Sequence, residues 1–192
     1  MKRFSIVCGL IIASTLVPVR AIAATFSQLV VYGDSLSDLG RAADATSALP
    51  PALKFPAYPN GGGRFSNGPI WVEYLADKLG IDRNPVTNPN FAAKNFAIGG
   101  ATTSTVNIGQ PLSSSFIGIQ TQVDNNPISD PAALYVIWGG ANDYLLGGVT
   151  DPTTPVANLA GEITTLIGLG ATNILVPNLP NLGALPSTRN LG

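Results

Sequence analysis

The stretch Val30-Val31-Tyr32-Gly33-Asp34-Ser35-Leu36-Ser37-Asp38 constrains this chain more than any other. An apolar strand, read over Gln28 to Tyr32, runs straight into a Gly-Asp-Ser turn. A serine at the end of a buried strand is held by a rigid scaffold, which is how a nucleophile is presented. The same serine also fits a plainer role as a helix N-cap, with Asp38 three residues on completing something like a capping box. One absence bears on the choice. The 192 residues contain no histidine, the usual base for such a serine.

The first residues read as a signal peptide. Lys2 and Arg3 form a positive start, Phe4 to Val17 is mostly apolar, and Ala21-Ile22-Ala23 suits cleavage before Ala24. A membrane anchor fits less well, because Pro18 and Arg20 break the short apolar run. Cys8 is the one cysteine and falls inside residues 1–23, so residues 24–192 are expected to hold no disulfide. Lys2, Arg3 and Arg20 leave with the signal. Seven basic residues then face eleven acidic ones, a net charge of −4. No basic patch is visible, which argues against nucleic acid as a partner. Residues 24–192 are long enough for one domain with a core, and too apolar to be disordered.

The pattern alternates strands with helices and long connections. Gly40 to Gly63 carries Pro50, Pro51, Pro56 and Pro59 and reads as a long irregular loop, either a plain connection or a wall of a cleft. Asn67 to Leu79 reads as a helix, with Pro69 in its first turn and Gly80 just past its end. Trp71, Tyr74, Leu75 and Leu79 would form its buried face. Asn95 to Ile98 is a short strand ending in Gly99-Gly100, and Ser115 to Val123 a helix weakened by Gly118. Ala133 to Trp138 is an unbroken apolar run, as a central parallel strand should be. Thr154 would cap a helix beginning at Pro155, with Val156, Leu159, Ile163, Leu166 and Ile167 buried and Gly170 ending it. Asn173 to Val176 is a last strand. The class expected is α/β with a parallel sheet, and in such sheets ligands bind beyond the carboxyl ends of the strands.

Chemistry-bearing residues fall at those ends. The first strand ends at Ser35, the second at Gly100, and the third leads through Gly140-Ala141 to Asn142. Acyl transfer needs a nucleophile and hydrogen-bond donors aimed at a developing oxyanion. Serine supplies the first. A glycine N–H, the Ser35 N–H and an asparagine amide could supply the donors. Singly, each has a bland reading: a cap, a glycine turn, and a helix start at Asn142, with Asp143 favoured at a helix N-terminus. Jointly, three suitable groups at successive strand ends point to a site.

These residues resemble the GDSL lipases and esterases, also called SGNH hydrolases. Gly33 to Asp38 is similar to the family's first block, Asn95 to Thr102 to its second, and Gly140-Ala141-Asn142-Asp143 to its third. Gly63 to Gly68 and Val176 to Gly183 resemble stretches of a larger subgroup found in plants and in bacterial secreted or autotransported esterases. The likeness runs from about Phe26 to Pro186. It implies a three-layer α/β/α sandwich of the flavodoxin-like kind. It also implies hydrolysis of acyl or lipid esters, with Ser35 as nucleophile and oxyanion donor and with Gly100 and Asn142 as oxyanion donors. No metal or organic cofactor is implied. Residues 1–23 would route the protein to the periplasm, the cell surface or the outside, and a membrane β-barrel translocator would accompany an autotransported form.

One departure is equally plain. The family's last block, Asp-x-x-His, carries the catalytic acid and base, and it is not among these residues. Residues 24–192 are therefore expected to be the N-terminal part of a single domain, C-terminally truncated and inactive or very weak alone. Lys54, Lys78 and Lys94 read as ordinary solvated lysines rather than substitute bases. The alternatives are an inactive relic, or a module that binds acyl or glycan ligands without turning them over.

Overall fold

The computed structural model describes residues 25–56, 62–84, 88, 91 and 94–189. The expected signal peptide and Pro59 lie outside these residues. Strands β1 (Leu29–Gly33), β2 (Leu134–Trp138) and β3 (Asn173–Leu175) form a parallel sheet in that order. Val31 is paired with Val136 and Gly33 with Trp138, so the carboxyl ends of β1 and β2 finish side by side.

The expected strand at Asn95 to Ile98 is present only as a bridge between Val31 and Asn95. It nevertheless runs along the free edge of β1: the Phe96 N–H donates to Val31 O at 2.7 Å and the Ile98 N–H to Gly33 O at 3.2 Å. Ladder bonds of this kind align the ends of the two segments, so Gly99-Gly100 arrives beside the turn that carries Ser35.

Alternation along β1 divides the core in two. Leu29 and Val31 pack with Leu134, Val136, Val72 and Ala76 on one face, while Val30 and Tyr32 pack with Tyr135, Ile137, Ile119 and Leu166 on the other. Helix α2 (Trp71–Leu79) covers the first face, and α3 (Ile119–Asn125) and α5 (Thr153–Gly168) cover the second. The architecture is the expected three-layer α/β/α sandwich. Two short helices, α1 (Arg41–Ala45) and α4 (Ala141–Leu145), follow β1 and β2.

Several local expectations need correction. The stretch from Gly40 to Gly63 contains α1 and a 3-10 turn at Pro51–Leu53, so it is not wholly irregular. Pro69 lies before α2, whose N-cap is Ile70, while Gly80 does end the helix in the left-handed region (φ 69°). Of the expected face of α2, Trp71, Leu75 and Leu79 are half-buried and pack on the core but Tyr74 is exposed, and the fully buried residues are Val72, Glu73 and Ala76. Burial of Glu73 is compensated by a bidentate pair with Arg64 (2.7 and 2.9 Å), a contact from Arg83 at 3.1 Å and the Ile70 N–H at 2.9 Å. Gly118 is the N-cap of α3, which starts after it rather than containing it; a Cβ there would lie 2.0 Å from Ser104 O. Thr154 does not cap α5, which begins one residue earlier with Asp151 Oδ1 accepting the Thr153 N–H at 2.9 Å. Of its expected buried stripe, Leu166 is fully buried and Leu159 and Ile163 partly so, but Val156 and Ile167 are exposed. Leu175, at the end of β3, and Val176 just beyond it are exposed as well.

Candidate active site

A Gly-Asp-Ser turn can stand at the end of β1 because its polar groups are tied down locally. Asp34 Oδ1 accepts the Leu36 N–H at 3.0 Å, and Asp34 O accepts the Ser37 N–H at 3.0 Å. Gly33 is required by space, since a Cβ would meet Trp138 O at 2.5 Å. Its N–H donates to Gln122 Oε1 and its carbonyl accepts from Gln122 Nε2, both at 2.9 Å. Within this turn Ser35 is part exposed while Asp34, Ser37 and Asp38 are buried. The pattern separates one serine that faces solvent from three polar neighbours that face inward.

Asp38, not Ser35, does the capping. Asp38 Oδ1 accepts the Gly40 and Arg41 N–H groups, each at 2.7 Å, and Oδ2 accepts those of Ala42 at 3.1 Å and Gly99 at 2.8 Å. One carboxylate thus starts α1 and also fastens the second glycine segment to the first turn. Asn95 Nδ2 adds a bond to Ser37 O at 2.7 Å. Asp143 plays the matching part at the third segment. It lies in the first turn of α4, yet its carboxylate accepts from Thr103 N–H (3.0 Å) and Thr103 Oγ1 (2.6 Å).

Those two acids fix the segments and leave Ser35, Gly99, Gly100 and Asn142 lining one cleft of about 340 Å³. Asn142 Nδ2 donates one hydrogen to Ala101 O at 2.9 Å, which sets the amide and leaves its second hydrogen. Among the described residues the backbone N–H groups of Ser35 and Gly100 have no acceptor. Gly100 has φ +82°, and a Cβ there would lie 2.7 Å from Asn107 Oδ1. Glycine is therefore required where the backbone turns toward the cleft. Three donors around a serine at a strand end can stabilise negative charge on a bound carbonyl oxygen.

Electrostatics at the turn centre on Asp34. Burial pushes its carboxyl up to about 6; the Leu36 N–H opposes this, and the nearby charge of Asp143 adds to it. Lys94 lines a different cleft with Ser27, Gln28 and Asp130 at the amino end of the sheet. Lys54 is exposed beside Phe55, and Lys78 is exposed on α2.

The long loop after α1 does reach the cleft, through Phe55. The Gly63 to Gly68 stretch reaches it through Phe65, whose ring lies against Gly99, and Arg64 anchors that stretch to α2. The Val176 to Gly183 stretch sets Leu179 against Gly140, next to α4. Gln122 and Thr103 were not legible as site residues. A glutamine in an amphipathic helix and a threonine after a glycine pair carry no signal of their long-range partners.

The sequence profile of the GDSL-like Lipase/Acylhydrolase family matches residues 29–191. The chain is 33% identical over 179 residues to a phosphatidylcholine-sterol acyltransferase of Aeromonas hydrophila, covering 86% of this chain and 48% of that protein. It is 31% identical to the secreted effector protein SseJ of Salmonella typhimurium, covering 83% and 36%. With esterase EstA of Pseudomonas aeruginosa it shares 30% identity, covering 95% and 33%. The chain thus spans about half the length of the first of these relatives and about a third of the other two. Matched over residues 29–191, the chain belongs to the GDSL-like lipase/acylhydrolase family.

Proposed function

We propose that this protein hydrolyses carboxylic esters of the acyl or lipid kind through an acyl-enzyme on Ser35. Ser35 Oγ attacks the ester carbonyl. The Ser35 N–H, the Gly100 N–H and Asn142 Nδ2 hold the oxyanion, and water then releases the acyl group. The observation that carries the reading is the set of three donors with hydrogens to spare lining one cleft with a part-exposed serine. A donor of this type contributes about 3 kcal/mol to the transition state.

Ser35 needs a proton acceptor, and the 192 residues contain no histidine. The chain alone is therefore proposed to bind ester and to turn it over very slowly, and a protein that also carries the family's Asp-x-x-His block to turn it over fully. The serine-protease analogy sets the gap at roughly a millionfold. Binding without turnover is the second reading for the chain alone, favoured by the same lack of histidine. Residues 1–23 are proposed to be a signal peptide that exports the protein, in keeping with a relative whose name is that of a secreted effector. Residues 24–192 are proposed to be the N-terminal part of one hydrolase domain. No helix among the described residues is long and apolar enough to cross a membrane.

The test is chemical rescue. The 192-residue chain and its Ser35→Ala variant are given p-nitrophenyl butyrate with and without imidazole. Imidazole-dependent turnover in the parent that exceeds the variant supports the hydrolase. Saturable ester binding with identical rates in both proteins supports the binding reading.

A further inference from the structure

The cleft beside Ser35 has a mouth and a floor. Phe55, Ile108 and Leu146 stand at its opening, 44%, 38% and 65% exposed, whereas Phe116 at its inner end is 3% exposed. Phe65 and Leu112 form the walls between, half-buried and packed on the core beneath the sheet. Two glycines bring the aromatic rings in close: a Cβ on Gly99 would lie 2.3 Å from the Phe65 ring, and one on Gly109 2.4 Å from that of Phe116. No lining residue carries a charge.

A neutral apolar slot with one polar corner fits an aliphatic chain attached to a carbonyl. Its size sets the length. At the roughly 30 Å³ that a water-sized group occupies in a liquid, a cleft of about 340 Å³ holds about ten carbons, enough for one chain and too few for two. We propose that this cleft is a length gauge for a single straight acyl chain of about ten carbons, which enters past Phe55 and Leu146 and stops at Phe116. The inference rests on the ester-hydrolase reading above and names the acyl group that site takes.

Binding tests it without needing turnover. Straight-chain 2-alkanones of four to fourteen carbons offer the same carbonyl and chain, and their affinity for the 192-residue chain is read by tryptophan fluorescence. Burial of each methylene should raise affinity about fourfold until the floor is reached, after which added carbons bring no gain. Leu112→Trp, which fills the wall, should end the rise several carbons earlier. Phe116→Leu, which lowers the floor, should extend it, and serves alone if Leu112→Trp does not fold. An affinity independent of chain length, or the same end point in parent and variants, overturns the proposal. Ester turnover separates the two readings: it is compared in the parent and in Ser35→Ala, while the alkanone series is read in the parent. A preserved series without Ser35-dependent turnover leaves the gauge standing while the hydrolase reading fails. Ser35-dependent turnover without any length dependence does the reverse.

Discussion

Gln122 holds Gly33 by both ends of its backbone, accepting its N–H and donating to its carbonyl, each at 2.9 Å across 89 residues of chain. On that side the Ile98 N–H also donates to the Gly33 carbonyl at 3.2 Å, and the side-chain amide adds the acceptor for the Gly33 N–H. Helix α3 thereby fixes the residue two places before Ser35. Gln122→Ala leaves the buried Gly33 N–H without an acceptor, and an unsatisfied buried group costs about 1–3 kcal/mol. We expect a loss of about 2–4 kcal/mol on the urea midpoint once packing is included. A loss under about 0.5 kcal/mol would mean that water replaces the amide freely.

The two candidates for the cap at the first turn are separated by stability alone. Asp38 accepts four backbone N–H groups, whereas Ser35 caps nothing in the structure. Asp38→Ala should cost at least about 2 kcal/mol, and Ser35→Ala under about 0.5 kcal/mol. Denaturant melts of the two variants check both. Equal losses would restore the reading of Ser35 as a cap.

Gly99 and Phe65 are predicted to be coupled. A methyl group at Gly99 falls 2.3 Å from the Phe65 ring, so Gly99→Ala must push the ring off the cleft wall. Overpacking of this kind costs about 1–3 kcal/mol. In a Phe65→Ala background the clash is gone, so the double variant should be more stable than the sum of the single losses predicts. Strict additivity in a double-mutant cycle would contradict the contact.

Asp34 gives a pH signature. Its carboxyl is raised from the ordinary value of 3.8 to about 6 in the folded state, chiefly by burial. A folded value above the unfolded one means the native state binds the extra proton. This contribution to stability is therefore full below about pH 4 and is lost as pH rises through about 6. The shift corresponds to roughly 3 kcal/mol. Glu162, raised to about 7 by burial and then by the charge of Asp124, titrates in the same sense. The comparison is therefore with Asp34→Asn, which leaves Glu162 in place. Relative to that variant, the parent should lose stability between pH 4 and 7 in a series of denaturant melts. Parallel profiles would contradict it.

The fold was legible where hydrophobic pattern and local geometry act together. The runs at Val30 to Tyr32 and Ala133 to Trp138 are apolar on both faces because helices cover both, so they read as central parallel strands. Asn95 to Ile98 was harder. It pairs on one side only, and its two ladder bonds to β1 make a bridge rather than a full strand. The error on α5 has a similar cause. Periodicity marks Val156 and Ile167 as buried, but burial needs something to pack against, and both are exposed. At the site, Ser35, Gly100 and Asn142 were found from residue type and position at strand ends, and they do line one cleft. The residues that fix them were not. Bonds from Thr103 to Asp143 and from Gln122 to Gly33 join positions 40 and 89 apart, and no local pattern encodes such a partner.

The most direct measurement is of the serine itself. The product of the complete reading frame that includes these residues is treated with an alkyl fluorophosphonate, and the adduct is mapped by peptide mass spectrometry. One adduct is expected, on the peptide carrying Ser35, and it is lost together with ester hydrolysis in Ser35→Ala. Ester hydrolysis that survives Ser35→Ala, or an adduct mapped to another residue, would contradict the role of Ser35 as nucleophile.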